Sequence, residues 1–153
     1  MGHPPPGTYD TPHFDLHFYT ITSAERDAIT PADPSYGDKL ERAPEPSLIP
    51  ESYLPAPDGI PRMGRHWFST LAPESNGQPF TRTLLYGFYD GRQIFIEPMV
   101  TRAFLETRQN VTEIIQQPAE YSTPGFHPRL YAVEYDAAAA EHRIVLRDFV
   151  QRD

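Results

Sequence analysis

Residues 81–100 read TRTLLYGFYDGRQIFIEPMV and contain the strongest folding signal in the chain. The residues on each side of Asp90-Gly91 are rich in aromatic and branched apolar side chains, which favour β-strands. An Asp-Gly pair suits a two-residue type I′ turn, because both central positions of that turn have a positive φ. The stretch therefore predicts an antiparallel hairpin in which Leu84 opposes Glu97.

Further strands are predicted wherever apolar and polar residues alternate. These strands cover His13–Ile21, Gly64–Leu71, Leu130–Tyr135 and Arg143–Val150. Short helices are predicted over 23–29, where Thr22 and Glu25 have the spacing of a capping box, and also around 38–42 and over 101–108. The chain is therefore expected to be mostly β, an antiparallel β-barrel or sandwich with short helices.

Proline makes up 18 of the 153 residues, and its distribution indicates which segments lie outside the strands and helices. Residues 1–12 are predicted to form an extended arm. The segment 30–61 contains eight prolines, a density that a central strand does not tolerate, so it is predicted to be a long Pro-rich loop. Its apolar side chains need a surface to pack on, which favours an ordered loop. The length of the chain fits a single domain over 1–153.

Composition excludes several classes of function. The net charge of −8 disfavours binding to nucleic acid, which needs a basic surface. The chain has no cysteine, so disulfides and thiolate metal sites are excluded. No apolar run reaches the ~18 residues of a membrane-spanning helix, so no membrane insertion is expected. The first residues lack the basic start and apolar core of a signal peptide.

Glu97 is the first candidate for chemistry. In the uninterrupted hairpin it shares one face with apolar residues, namely Leu84, Tyr86, Phe88, Phe95 and Met99. A carboxylate among such neighbours is usually paired, protonated or bound to a metal ion. A salt bridge to one of the arginines is the plain alternative, and a slip of one residue in the pairing would reverse the faces.

The first strand carries a second group of candidates. His13, Asp15 and His17 share one side of it, and Tyr19 continues that side. Imidazole and carboxylate ligands are typical of zinc, iron, manganese and copper sites, although a solvent-exposed polar face gives the same alternation. Four residues of strand separate the two histidine Cα atoms by about 13 Å, so both bind one ion only if a bulge shortens the strand.

His66 is the third candidate, since alternation puts it beside Phe68 on one face of a strand. A lone histidine in such a place is more often a hydrogen-bonded core residue, and only the other candidates favour a ligand. His127 and His142 are predicted to lie at the surface.

Four stretches resemble an uncharacterised bacterial β-rich domain family, represented by a Thermus protein controlled by a sigma/anti-sigma factor pair. The stretches are Gly2–Tyr19 (GHPPPGTYDTPHFDLHFY), Met63–Trp67 (MGRHW), Asn76–Thr81 (NGQPFT) and Glu97–Thr101 (EPMVT). They contain His3 and the other candidate residues at their centres. The resemblance implies a β-rich protein that is secreted, periplasmic or otherwise associated with the envelope.

Members of that family carry a further β-rich segment before the position that matches Gly2. The resemblance therefore implies that the sheet of this chain is incomplete and has open edges. A partner subunit would cover such edges, so a homo-oligomer is expected.

Three functional hypotheses follow. The first is a metal-binding β-barrel holding one divalent transition metal, Zn, Mn, Fe or Cu, through His13, His17, His66 and Glu97. It would be a hydrolytic or oxygen-dependent enzyme for a small organic molecule, with Asp15 and Glu97 as catalytic groups and an apolar wall of Tyr19, Tyr86, Phe88, Phe95 and Met99. The second is a non-catalytic envelope or stress-response binding module that works as an oligomer. The third is a metal-free acid/base enzyme that uses an Asp15–His pair with Glu97.

Overall fold

The computed structural model describes residues 7–152 and is dominated by β-structure. Nine strands are β1 His13–Asp15, β2 Phe18–Tyr19, β3 Tyr53–Ile60, β4 Gly64–Ser69, β5 Arg82–Tyr89, β6 Arg92–Thr101, β7 Val111–Ile114, β8 Gly125–Asp136 and β9 Glu141–Arg152. Three short helices are α1 Ser23–Asp27, α2 Tyr36–Glu41 and α3 Arg102–Glu106, and 3₁₀ turns occur at Pro46–Leu48 and Pro73–Asn76.

The strands form two antiparallel sheets. The larger sheet has the order β1-β6-β5-β4-β3, and β2 pairs with β6 beside β1, while the smaller sheet has the order β7-β8-β9. The prediction of a mostly β fold with antiparallel pairing is confirmed in its sandwich form. Within residues 7–152 the larger sheet ends at β3 and does not close into a barrel.

The Asp90-Gly91 hairpin forms as predicted, but its register changes after the first pairs. Asp90 and Gly91 both have a positive φ, of 54° and 73°. Phe88 pairs with Gln93, whereas Gly87 pairs with Phe95, so Ile94 is an extra residue in β6. Such a β-bulge shifts every later pair by one position.

The bulge corrects the predicted faces of the hairpin. Glu97 lies opposite Leu85, and Leu84 lies opposite Pro98. Tyr86 and Phe88 therefore belong to the opposite face from Glu97, because opposing residues of an antiparallel pair share a face. Phe95 and Met99 remain on the Glu97 face, since they alternate with it along β6.

The main core lies between the two sheets. Tyr86, Ile96 and Trp67 of the larger sheet pack with Tyr131 and Val133 of β8. The other face of the larger sheet is covered by two smaller apolar clusters. One contains Tyr9, Phe80, Leu85 and Met99, and the other contains Ile29, Ile94 and Phe95. Both faces of β5 and β6 are thus buried, which explains the near-continuous apolar run in their sequences.

The short helices occur where the sequence predicts them. Thr22 and Glu25 form the expected capping box at α1, with the threonine hydroxyl accepting from the Glu25 backbone N–H. The Thr101 side chain accepts a hydrogen bond from the Phe104 backbone N–H and so caps α3. Both caps satisfy backbone donors that a helix leaves unpaired at its start.

The prediction of a long Pro-rich loop over 30–61 is wrong where the segment forms the strand β3. The segment also contains α2, at the predicted helical turn, and a 3₁₀ turn. A strand with two prolines is possible here because β3 is at the edge of the sheet and has an irregular register between Pro55 and Gly59. Of the predicted arm, residues 7–12 form turns and bends, and residues 1–6, including His3, lie outside the described residues.

None of the helices within residues 7–152 has both the length and the apolar character that a membrane span needs.

Candidate metal centre

Two neighbouring strand segments bring His17 to Glu97. Asp15 pairs with Met99 on one side of this position, and Phe18 pairs with Ile96 on the other. His17 lies in the gap between β1 and β2, and its Nε2 is 3.3 Å from Oε1 of Glu97. The pairing of two short strands with one long strand thus aligns an imidazole with the carboxylate.

His66 approaches the same carboxylate from the other side. It pairs with Gly87, and Gly87 pairs with Phe95 in the row next to Glu97. Because Gly87 has no side chain, the Phe95 ring lies directly over it between β4 and β6. Nε2 of His66 lies 3.2 Å from Oε2 of Glu97. The glutamate therefore lies between His66 of β4 and His17, which follows β1, and these two segments are not neighbours in the sheet.

The three side chains form a buried group with donor atoms close together. One ligand atom from each of His17, His66 and Glu97 lies within 4.8 Å of the others. Glu97 has no exposed surface and His66 is 2% exposed, whereas the side chain of His17 is 14% exposed. The ligand atoms are therefore enclosed by protein, and the exposed surface of the group belongs mainly to the rest of the His17 side chain.

Aromatic rings hold both imidazoles in place. The Phe95 ring centroid lies 4.8 Å from that of His17 and 5.3 Å from that of His66. Tyr19 stacks on His17 with an interplanar angle of 15°, and its hydroxyl donates to the backbone oxygen of Arg62. Burial raises the pKa of Tyr19, so this hydroxyl stays protonated near neutral pH and keeps its role as donor.

His13 and Asp15 form a separate pair on the same side of the sheet. Nε2 of His13 is 3.0 Å from Oδ1 of Asp15, and its Nδ1 is 2.6 Å from the backbone oxygen of Thr11. The structure does not bring His13 into the group around Glu97, which agrees with the long spacing of the two histidines along the strand. Of the predicted ligands, His17, His66 and Glu97 form the group within residues 7–152 that could hold a metal ion.

The residues of the predicted apolar wall lie on two different faces of the larger sheet. Tyr19, Phe95 and Met99 lie on the face of the larger sheet that carries the group, whereas Tyr86 and Phe88 lie in the core between the sheets. The error follows from the bulge at Ile94, because the sequence prediction assumed an uninterrupted register.

Tyr9 and Glu74 are buried polar residues near the site that sequence reasoning missed. The Tyr9 hydroxyl donates to Oε1 of Glu74 at 3.2 Å, and both residues are buried. Burial, reinforced by the nearby Glu74 carboxylate, raises the pKa of Tyr9. Tyr9 lies in a segment whose proline and glycine content predicts an arm, so no local pattern indicates its burial.

The donor separations are of the size found between ligands of one metal ion. Metal–nitrogen and metal–oxygen bonds of about 2.1 Å place two donors ~3.0 Å apart at a right angle and ~3.4 Å apart at a tetrahedral angle. The two contacts of Glu97 measure 3.3 Å and 3.2 Å and involve different oxygens of the carboxylate. One ligand atom from each residue lies within 4.8 Å of the others, so this group could hold a metal ion.

Comparisons with protein families, with curated proteins and with solved structures find no match to this chain. The argument for function therefore depends on the geometry of the site.

Proposed function

We propose that the protein binds one divalent transition metal ion through Nε2 of His17, Nε2 of His66 and the carboxylate of Glu97. The observation that carries this proposal is the fully buried carboxylate, with an imidazole nitrogen 3.2–3.3 Å from each of its oxygens. Two histidines and one carboxylate are a ligand set of catalytic zinc sites and of non-haem iron sites. Zn, Mn, Fe and Cu all suit these donors.

We further propose that the centre is catalytic and acts on a small organic molecule, by a hydrolytic or an oxygen-dependent reaction. The three ligands found within residues 7–152 do not fill the coordination sphere of these ions, and a bound metal ion would supply Lewis acidity at the remaining positions. A small molecule would approach the group from the side of His17, whose side chain is partly exposed. Phe95, which packs on both imidazoles, and Met99 have no exposed surface and would keep water away from the ligands.

Asp15 is the candidate for proton transfer in such a reaction. Its side chain is 28% exposed, lies two residues from His17 on the same side of the strand, and contacts His13. The His13–Asp15 pair can hold a proton between its imidazole and its carboxylate, close to His17. Asp15 thus retains the acid/base function suggested by the sequence, while Glu97 acts as a ligand.

Metal content tests the binding proposal. The full chain, purified without a histidine tag, is dialysed against a chelator, incubated separately with Zn²⁺, Mn²⁺, Fe²⁺ and Cu²⁺, and measured by mass spectrometry. We expect about one ion per chain for at least one metal, and loss of that ion in Glu97→Gln and His66→Gln, because each removes one of three ligands.

Matched variants separate ligand loss from misfolding. Glu74→Gln changes another buried glutamate while keeping the oxygen that accepts from Tyr9, and His13→Gln changes a histidine outside the group. Both should retain the metal. Binding of metal by Glu97→Gln at the wild-type level, or no binding of any of the four metals by the wild type, contradicts the proposal.

A second candidate is the non-catalytic module that works as an oligomer. Leu71 and Ile114 are 68% and 81% exposed and line the same surface depression, beside Tyr53 of the edge strand β3. Exposed apolar groups next to an open sheet edge favour contact with a second copy. Light scattering across a concentration series should show a dimer or larger assembly that Leu71→Ser with Ile114→Ser disrupts. A monomer at all concentrations excludes this candidate.

A further inference from the structure

A cleft opens between the two sheets, on the face of the larger sheet that is turned away from Glu97. Tyr86 and Ile96 form one wall, Leu146 and His127 form the other, and Ile115 lies between them. The cavity volume is about 260 Å³. An apolar cavity of ~150 Å³ in another protein already takes up benzene, so this cleft has room for one or two aromatic rings.

The lining of the cleft contains no charged side chain among the described residues. It consists mainly of aromatic and aliphatic groups, with Phe126 and Phe149 exposed beside the opening. A charged molecule would lose its hydration here without gaining an ion pair, which is costly. The cleft therefore selects neutral molecules.

Gln93 supplies a hydrogen-bonding group in this apolar lining. The residue is 6% exposed, and its pairing with Phe88 places it on the face of the inter-sheet core. Its backbone N–H donates to the Ser122 hydroxyl, and its backbone oxygen accepts from the Thr20 hydroxyl.

The side-chain amide of Gln93 makes no hydrogen bond to any residue within 7–152. The amide belongs to the lining of the cleft, so its oxygen and its N–H groups are available to a bound molecule that both donates and accepts a hydrogen bond.

His127 presents a second polar atom on the other wall. Its Nε2 lies 2.9 Å from the backbone oxygen of Thr123, and since a carbonyl oxygen only accepts, Nε2 carries the proton. Nδ1 of the neutral ring is then an acceptor. The ring is held by Tyr121, whose ring centroid lies 3.6 Å away. The sequence prediction of a surface position for His127 is wrong, since the residue is 7% exposed.

We propose that the cleft binds a small neutral aromatic molecule that carries one amide, hydroxyl or ring N–H group, hydrogen-bonded by Gln93. The aromatic part would pack between Ile96 and Leu146, and its polar group would face the Gln93 amide. The cleft and the metal centre lie on opposite faces of the larger sheet, because Ile96 and Glu97 point to opposite faces of β6. Tyr19, which stacks on His17, borders both.

Binding of benzamide and indole to the full chain, measured by calorimetry and ligand-detected NMR, tests the proposal. Ligands of this size should bind with dissociation constants of about 0.1–1 mM. Benzoate, which has the size of benzamide but carries a charge, should bind at least about tenfold more weakly.

Gln93→Met and Leu146→Trp locate the site. Gln93→Met keeps a similar side-chain volume but removes the amide. It should therefore weaken the binding of benzamide about tenfold and leave the binding of naphthalene, which has no polar group, unchanged. Leu146→Trp fills the cleft and should abolish the binding of both molecules. Ile144→Trp is the matched control: it lies on the same strand and face but lines a different depression, so binding should persist.

Two results would overturn the proposal. One is the absence of binding by benzamide and indole up to about 5 mM, a concentration well above the expected dissociation constants. The other is binding that neither Gln93→Met nor Leu146→Trp changes, in variants whose circular dichroism matches the wild type.

Discussion

Gly87→Ala offers a sharp test of how the metal centre is built. Gly87 lies between His66 and Phe95 in one row of the larger sheet. A Cβ at this position would lie 2.1 Å from Cε1, 2.2 Å from Cζ and 2.5 Å from Cδ1 of Phe95. The Phe95 ring therefore covers the glycine, and an isolated glycine inside a strand often marks such a close approach.

The size of the effect follows from these distances. Carbon atoms in contact lie about 3.5–4.0 Å apart, so the ring must move by roughly 1.5 Å. Phe95 has no exposed surface, and the ring packs on both imidazoles of the site. Overpacking of this kind costs about 1–3 kcal/mol, and the upper part of that range applies where the ring cannot turn aside.

Thermal unfolding and metal titration measure the two consequences. A loss of about 2–3 kcal/mol should lower the melting temperature of a chain of this size by roughly 4–12 °C. Metal affinity should fall about 10–100-fold, because groups that position ligands have effects of this size. Phe95→Leu in the Gly87→Ala background should recover stability, since it removes the ring atoms that the new methyl group contacts.

Gly37→Ala is the matched control. Gly37 lies in α2, and a Cβ there would meet no atom within 4 Å. Alanine in a helix is more stable than glycine by about 0.5–1 kcal/mol, so this variant should melt slightly higher and keep its metal affinity. Gly87→Ala with wild-type stability and wild-type metal affinity would refute the packing argument.

Three further predictions concern stability. Thr22→Ala removes the side-chain part of the capping box at α1 and should cost about 1 kcal/mol in chemical denaturation. Gly91→Ala forces a Cβ onto a residue with φ of 73° and should cost about 1 kcal/mol in the same assay. Burial raises the pKa of Tyr53 and Tyr131, so both stay neutral in the folded chain while the unfolded chain ionises near pH ~10. Stability should therefore hold below that pH and fall above it, with tyrosinate absorbance rising together with loss of circular dichroism.

The sequence predicts those parts of the fold that depend on local chemistry. Asp90-Gly91 defines a turn because two successive positions need a positive φ, and Thr22 with Glu25 defines a helix start because each satisfies a backbone N–H of the other. These signals are contained within a few residues of each other. Their structural outcome therefore depends little on the rest of the chain.

The site was only partly predictable, because its members meet through long-range pairing. Residue type and alternation identify Glu97, His17 and His66 as candidates, and the structure brings these three together. The same pattern includes His13, whose ring contacts Asp15 and the Thr11 carbonyl. Alternation assigns a face to each residue but does not define which neighbouring strand lies opposite it.

The bulge at Ile94 explains both the main error and the arrangement of the two proposed sites. Without the extra residue, strict alternation would place Gln93 and Glu97 on the same face of β6. With it, Gln93 pairs with Phe88 and faces the inter-sheet cleft, while Glu97 pairs with Leu85 and faces the two histidines. The extra residue Ile94 thus places the Gln93 amide on one face of the sheet and the Glu97 carboxylate on the other. Because the Thr20 backbone N–H donates to the Ile94 oxygen, the bulge also anchors the chain just after β2, next to the segment that carries His17.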